Sequence, residues 1–295
     1  MKKKRKRGKY AAKKRQTTAL LLRIAFILLI IDITALGAIH LDRRKDRLEF
    51  QQMAAAVHEL QAATQATQTA EPTNPTEAIE AAVAAEPTET TETTEPDDGL
   101  LPQYRQLYKE NSEMVGWIRI DDTIIDYPVM HTPKEPEKYL HTSFQGEYSQ
   151  SGVPFIDYRC SEDSDNLLIY GHNMADDTMF HILVDYRQKS FWLEHPVIRF
   201  DSLYEEREYE VVAAFYDRVY YTHETNFKFY NFINAKNEAD YNKAVKKFKD
   251  KSLYDTGVTP EYGQQLITLV TCTYREENGR FVVVACEKAP PDADI

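Results

Sequence analysis

The chain has 295 residues, enough for one large domain with appendages or two small ones, and a formal charge of -11. That charge is unevenly divided. Residues 1–15 carry ten Lys and Arg and no acid; once these, Arg23 and Asp32 are set aside, 25 basic residues face 46 acidic ones, about -21. So acidic a surface argues against a nucleic-acid partner, because neutralising phosphates needs clustered Lys and Arg.

The basic head, residues 1–17, precedes an apolar segment at 18–39. Ala19 to Ile39 is 21 residues, about 31 Å as a helix and enough to cross a bilayer core. Its thirteen Leu, Ile and Phe favour insertion by roughly 6 kcal/mol, against a cost of up to ~3 for Asp32; Arg23 can snorkel to the inner edge. The basic cluster predicts a single-pass anchor with the N-terminus cytoplasmic and everything after Ile39 outside. A cleaved secretory signal ending near Ala35-Leu36-Gly37 is the rival reading, and it exports the rest of the chain as well.

Residues 40–99 read as a helix and then a stalk. Leu48, Phe50, Met53, Val57 and Leu60 keep helical spacing, whereas 62–99 is Thr, Glu, Ala and Pro without Lys or Arg. Such a composition buries too little apolar surface to offset ordering and predicts disorder. The domain proper is expected over 100–295, opening with a helix at Leu101 to Asn111. Strands are expected at 116–120, 124–129, 153–157, 166–170, 196–201 and 207–216. Asp176 or Asp177 should cap a helix running to Arg187, and Glu238 to Lys251 should form another with Tyr241, Ala244, Val245 and Phe248 inward. Strands dominate without βαβ alternation, so the class is mainly β, a closed barrel with peripheral helices.

The last segment, Gln264 to Glu287, predicts a hairpin, with Cys272 closing one strand and Arg280 opening the next across a Glu276-Glu277-Asn278-Gly279 turn. A guanidinium beside a thiol favours thiolate, the form that attacks carbonyls. His172, ending a strand in Tyr170-Gly171-His172-Asn173, can act as imidazolium partner and proton donor. Taken singly, Cys272 could be a small core residue, His172 a loop histidine, and Arg280 a partner of Glu276 or Glu277.

The string Thr268-Leu269-Val270-Thr271-Cys272 with Arg280 resembles the signature of sortases, as do Asn166 to Met174, Tyr139 to Asp157 and Val115 to Val129. The Gly-His-Asn-Met and Val-Gly-Trp-Ile contexts look like class B, and the match runs from about Leu100 to Lys288. The resemblance implies an eight-stranded barrel behind a retained membrane anchor and stalk, with His172, Cys272 and Arg280 as the catalytic trio. It also places Leu140, Tyr170 and Thr271 at the substrate groove, Thr271 chiefly by steadying the strand. Val270 and Pro136 stand where many class B members have Ser and Asn, which puts the substrate preference in doubt.

The implied activity is that of a cysteine transpeptidase. It would cleave a Pro-x-Thr-type sorting signal of a surface protein after Thr, form a thioacyl enzyme, and pass the acyl group to a cell-wall amine or a pilin lysine. No cofactor is implied, and the remaining histidines show no metal-ligand spacing. A hydrolytic cysteine peptidase and a non-catalytic stalked binding module are the alternatives. Papain-like peptidases place Cys before His, the reverse of the order here. Cys160 and Cys286 are assigned to structure, a disulfide between them being left open.

Overall fold

The structure, a computed structural model, describes residues 2–69 and 98–288. The chain divides into two units, Met1–Leu48 and Glu49–Ile295. Helix α1 spans Lys2–Thr69. By length and composition it is the one helix among the described residues that could cross a membrane, and Phe26, Ile27, Leu28 and Leu29 on it are exposed. The helix persists through 62–69, where disorder was expected. Ala62, Ala63 and Ala66 are strong helix formers, and the first proline comes only at Pro72. The rest of the expected stalk, 70–97, lies outside the described residues.

In the second unit the last turns of α1 belong to the core. Phe50, Met53 and Val57, three and four residues apart, are buried on one face, and the Phe50 ring meets Tyr127 edge-on at 5.2 Å. Just beyond, His58 Nε2 lies 3.0 Å from Asp126, whose other oxygen accepts from the Trp117 indole at 2.7 Å. Helix α2 is Pro102–Glu110, with Pro102 in the first turn, where its missing N–H costs nothing.

Eight strands close into a barrel: β1 Met114–Arg119, β2 Asp126–Met130, β3 Phe155–Ile156, β4 Asn166–Tyr170, β5 Val197–Ser202, β6 Glu208–Arg218, β7 Leu266–Cys272 and β8 Gly279–Glu287. Around the barrel the order is β1-β2-β3-β4-β7-β8-β6-β5. β4 and β7 run parallel, so they need a long connection between them. It includes helix α3 Lys189–Glu194, strands β5 and β6, and helix α4 Glu238–Lys251. Helix α4 follows the expected bounds, with Asn237 accepting at its N-cap from Asp240 N. The helix expected before Arg187 is instead a 3-10 helix, His181–Arg187, with no side-chain cap; Met179, Phe180, Leu183 and Tyr186 are nonetheless buried.

Strand periodicity explains the two cores. On β8, Phe281, Val283 and Ala285 join the main cluster with Ile267 and Leu269. Val282, Val284 and Cys286 alternate with them and pack with Val270 beneath Tyr241, Val245 and Phe248 of α4. β7 and β8 are therefore buried on both faces, which accounts for their unbroken apolar runs.

Asp201 is a buried carboxyl at the end of β5, accepting from the Tyr104 hydroxyl at 2.5 Å and from Arg207 N at 3.3 Å. Burial pushes its pKa up to about 6, against the opposing Tyr104 hydrogen bond. A folded-state pKa above the unfolded ~3.9 means that the native state holds this proton more tightly, so the contribution to stability is present below pH ~4 and lost as pH rises through about 6. Asp201→Asn should remove that loss. The stability of the variant relative to the parent should rise by up to about 3 kcal/mol between pH 4 and 7, as read by urea unfolding. An unchanged difference would place the Asp201 ionisation outside this range.

Candidate active site

The end of β7 and the start of β8 are fixed by their turn. Asn278 has φ +56, and Gly279 has no room for a Cβ, which would lie 2.8 Å from Thr273 Oγ1 and 3.0 Å from Glu276 O. Thr273 N closes the turn on Gly279 O at 3.0 Å. In this register Cys272 and Arg280 are direct cross-strand partners, on the same face as Val270 and Val282.

Arg280 pairs with neither glutamate of the turn. Glu276 faces Arg218 at 3.7 Å, and Glu277 meets the Tyr221 hydroxyl at 3.5 Å. Asp217, opposite Arg280 on β6, is also engaged, by Lys251 at 3.1 Å and the Tyr220 hydroxyl at 2.6 Å. The guanidinium spends Nη1 on Gly279 O at 2.9 Å and has no carboxylate within ion-pair distance among the described residues.

His172 arrives from the other side. β4 lies parallel to β7, with Tyr170 beside Val270, so the chain leaving β4 passes the end of β7. Gly171 packs so closely on the Phe180 ring that a Cβ would sit 2.6 Å from it. His172 Nε2 lies 2.8 Å from Leu140 O; a carbonyl only accepts, so Nε2 carries a proton and Nδ1 is the free position of the neutral ring. Burial lowers the His172 pKa; the Leu140 hydrogen bond opposes this, and His141, its ring 5.4 Å away, adds to it. The resting imidazole is thus biased toward neutral, leaving Arg280 as the permanent cation of the site.

A groove of about 310 Å³ gathers these groups: Cys272, His172 and Arg280 line it together with Leu140, Tyr170, Thr271, Val270 and Pro136. Tyr170 supplies ring wall rather than hydroxyl, because its OH donates to Asp157 at 2.9 Å, and Asp157 is held by Arg159 at 2.8 Å. Burial, with the Asp157 charge, raises the Tyr170 pKa and keeps the phenol protonated. Thr271 Oγ1 donates to Gly171 O at 2.9 Å, tying β7 to the chain just before His172. Apolar Val270 and Pro136 leave the groove short of side-chain hydrogen-bonding groups at those two points.

The other two thiols lie apart. Cys160 and Cys286 are free and buried in different core clusters, and burial pushes each up to about 11. The disulfide left open by the sequence is not formed. Cys272 differs from both in being half-buried. Asn173 was missed as a site residue although it stands within the Gly-His-Asn-Met string; its Nδ2 donates to Cys272 O at 2.8 Å. His181, which holds Asn173, carries no local sequence signal.

The sortase domain family matches residues 118–288. The chain is 34% identical over 190 residues to sortase B of Staphylococcus aureus, covering 62% of this chain and 74% of that protein. It is 35% identical over 186 residues to sortase B of Listeria monocytogenes, covering 61% and 72%. Among solved structures, a Staphylococcus aureus sortase B–substrate complex superposes with a TM-score of 0.65 at 25% identity, covering 84% of this chain and 98% of that one.

Proposed function

Since the chain belongs to the sortase family, class B, and is a cysteine transpeptidase, we propose that His172, Cys272 and Arg280 carry its reaction and that its donor is a Pro-x-Thr-type sorting signal. The observation that carries this reading is the placement of Cys272 directly opposite Arg280, with His172 lining the same groove. The Cys272 thiol passes its proton to the free Nδ1 of His172, the resulting thiolate attacks the Thr carbonyl carbon, and Arg280 donates to the oxygen as it becomes negative. The tetrahedral intermediate collapses with loss of the C–N bond, His172 giving a proton to the departing amine and leaving a thioester on Cys272. An incoming amine, deprotonated by His172, then attacks the thioester and releases the thiolate.

The acceptor is a cell-wall amine or a pilin lysine, and the donors are surface proteins. An acidic exterior of about -21 attracts a cationic acceptor, within the ~10 Å over which salt leaves the field effective. The apolar helix is a single-pass anchor, with the N-terminus cytoplasmic and the barrel outside, by the positive-inside rule applied to residues 1–17. The segment between them acts as a spacer.

The test is the choice between transfer and hydrolysis. Incubated with a Pro-x-Thr peptide, the enzyme should form acid slowly; an added oligoglycine or diaminopimelate-containing peptide should divert the product to amide, read by mass spectrometry. If acceptors including peptidoglycan precursor yield acid alone, the protein is a processing protease.

A further inference from the structure

Asn173 follows His172 directly, yet its side chain reaches the other strand. Its Nδ2 lies 2.8 Å from the carbonyl oxygen of Cys272. Its Oδ1 lies 2.7 Å from His181 Nδ1, and His181 Nε2 lies 3.1 Å from Asp177. Donor and acceptor chemistry fixes the whole chain. A backbone carbonyl only accepts, so the amide nitrogen must face Cys272 and the amide oxygen must face His181. That oxygen needs a donor, so Nδ1 of His181 carries the proton of this contact.

The loop is shaped to make this possible. Asp177 and Met179 have φ of +62 and +56, a backbone region costly for residues other than glycine. Met179 is held there by burial, by a bridge to Asn173, and by its N–H, which donates to the Tyr127 hydroxyl oxygen at 3.2 Å. Phe180 N then closes the loop on His172 O at 2.8 Å. The Asp177 carboxylate is 82% exposed, so its contact with His181 is weak and the His181–Asn173 hydrogen bond does most of the orienting.

We infer that Asn173, oriented by His181, is a positioning residue that sets the distance between the nucleophile and the catalytic histidine. Two clamps cross between the strand ends: Thr271 to Gly171 on one side of His172, and Asn173 to Cys272 on the other. The first anchors the strand before the nucleophile; the second grips the nucleophilic residue itself. Releasing the second frees the end of β7 relative to the imidazole while leaving the groove walls in place. This rests on Cys272 being the nucleophile.

The experiment measures transpeptidation kinetics and melting temperature for Asn173→Ala, His181→Gln and His181→Phe in the full chain, with Cys272→Ala alongside. Asn173→Ala should lower kcat by about 10- to 100-fold, in the range a ~1 Å misplacement causes, with KM within about twofold. His181→Gln keeps a donor for Asn173 and should stay within about threefold of the parent; His181→Phe fills similar space without a donor and should fall with Asn173→Ala. Parent-like kcat in Asn173→Ala overturns the inference, as does equal loss in His181→Gln and His181→Phe. Should Asn173→Ala fail to fold, the His181 pair decides alone. Activity retained by Cys272→Ala would instead sink the assignment of the nucleophile, a separate result.

Discussion

Cys272→Ala is expected to abolish both peptide cleavage and any thiol-trapped intermediate, whereas Cys160→Ala and Cys286→Ala should keep turnover within a few-fold. The difference follows from where the three thiols sit. Cys160 and Cys286 are buried, with pKa values pushed up to about 11, so roughly one in ten thousand of either is thiolate at pH 7. Neither lines the groove, and each lies in packed core. Cys272 is half-buried, faces a guanidinium across the hairpin, and shares the groove with His172. Steady-state cleavage and mass spectrometry of the trapped enzyme read the outcome. Equal loss in all three variants would mean that packing had been mistaken for chemistry.

The second large effect is expected at Arg280. Its Ala variant should lose on the order of 10²-fold or more in kcat, as removal of an oxyanion donor does elsewhere. The surroundings sharpen this expectation. Every nearby carboxylate is engaged by another cation or hydroxyl: Asp217 by Lys251 and Tyr220, Glu276 by Arg218. Arg280 is therefore not a turn-stabilising ion pair, and its removal should shift melting by little. Lys would restore the charge without the planar fork, and the Gly279 anchor would be lost with it, so Arg280→Lys should also fall by at least tenfold. Near-normal turnover in the Lys variant would reduce the role of Arg280 to charge alone.

Much of this was legible in the sequence because strands and turns announce themselves locally. The alternation in Phe281 to Cys286 and the Asn278-Gly279 turn predict the hairpin, and the hairpin alone brings Cys272 to Arg280. Helix α4 was legible to its bounds because the spacing of Tyr241, Val245 and Phe248 is a local signal; its Asn237 cap was not read. The 3-10 helix at His181 was not. Its start is set by two left-handed residues and by the close packing of Phe180 on Gly171, neither of which has a sequence signature. The last turns of α1 were read as part of a tether, yet Phe50, Met53 and Val57 pack into the core of the barrel unit; periodicity shows that a face is apolar but not what it meets. The contact of His181 with Asn173 and of His141 with His172 depends on loop closure between distant segments.

The parallel pairing of β4 with β7 has a consequence for how the enzyme is made. The two ends that meet there are a hundred positions apart along the chain, and Arg280 comes later still, on the strand that joins β7 to β6. Contacts of such long range form late, because chain closure must precede any reward from packing. During synthesis His172 is in place a hundred positions before Cys272 is added. The groove that gathers His172, Cys272 and Arg280 is therefore complete only once the last strand has been added.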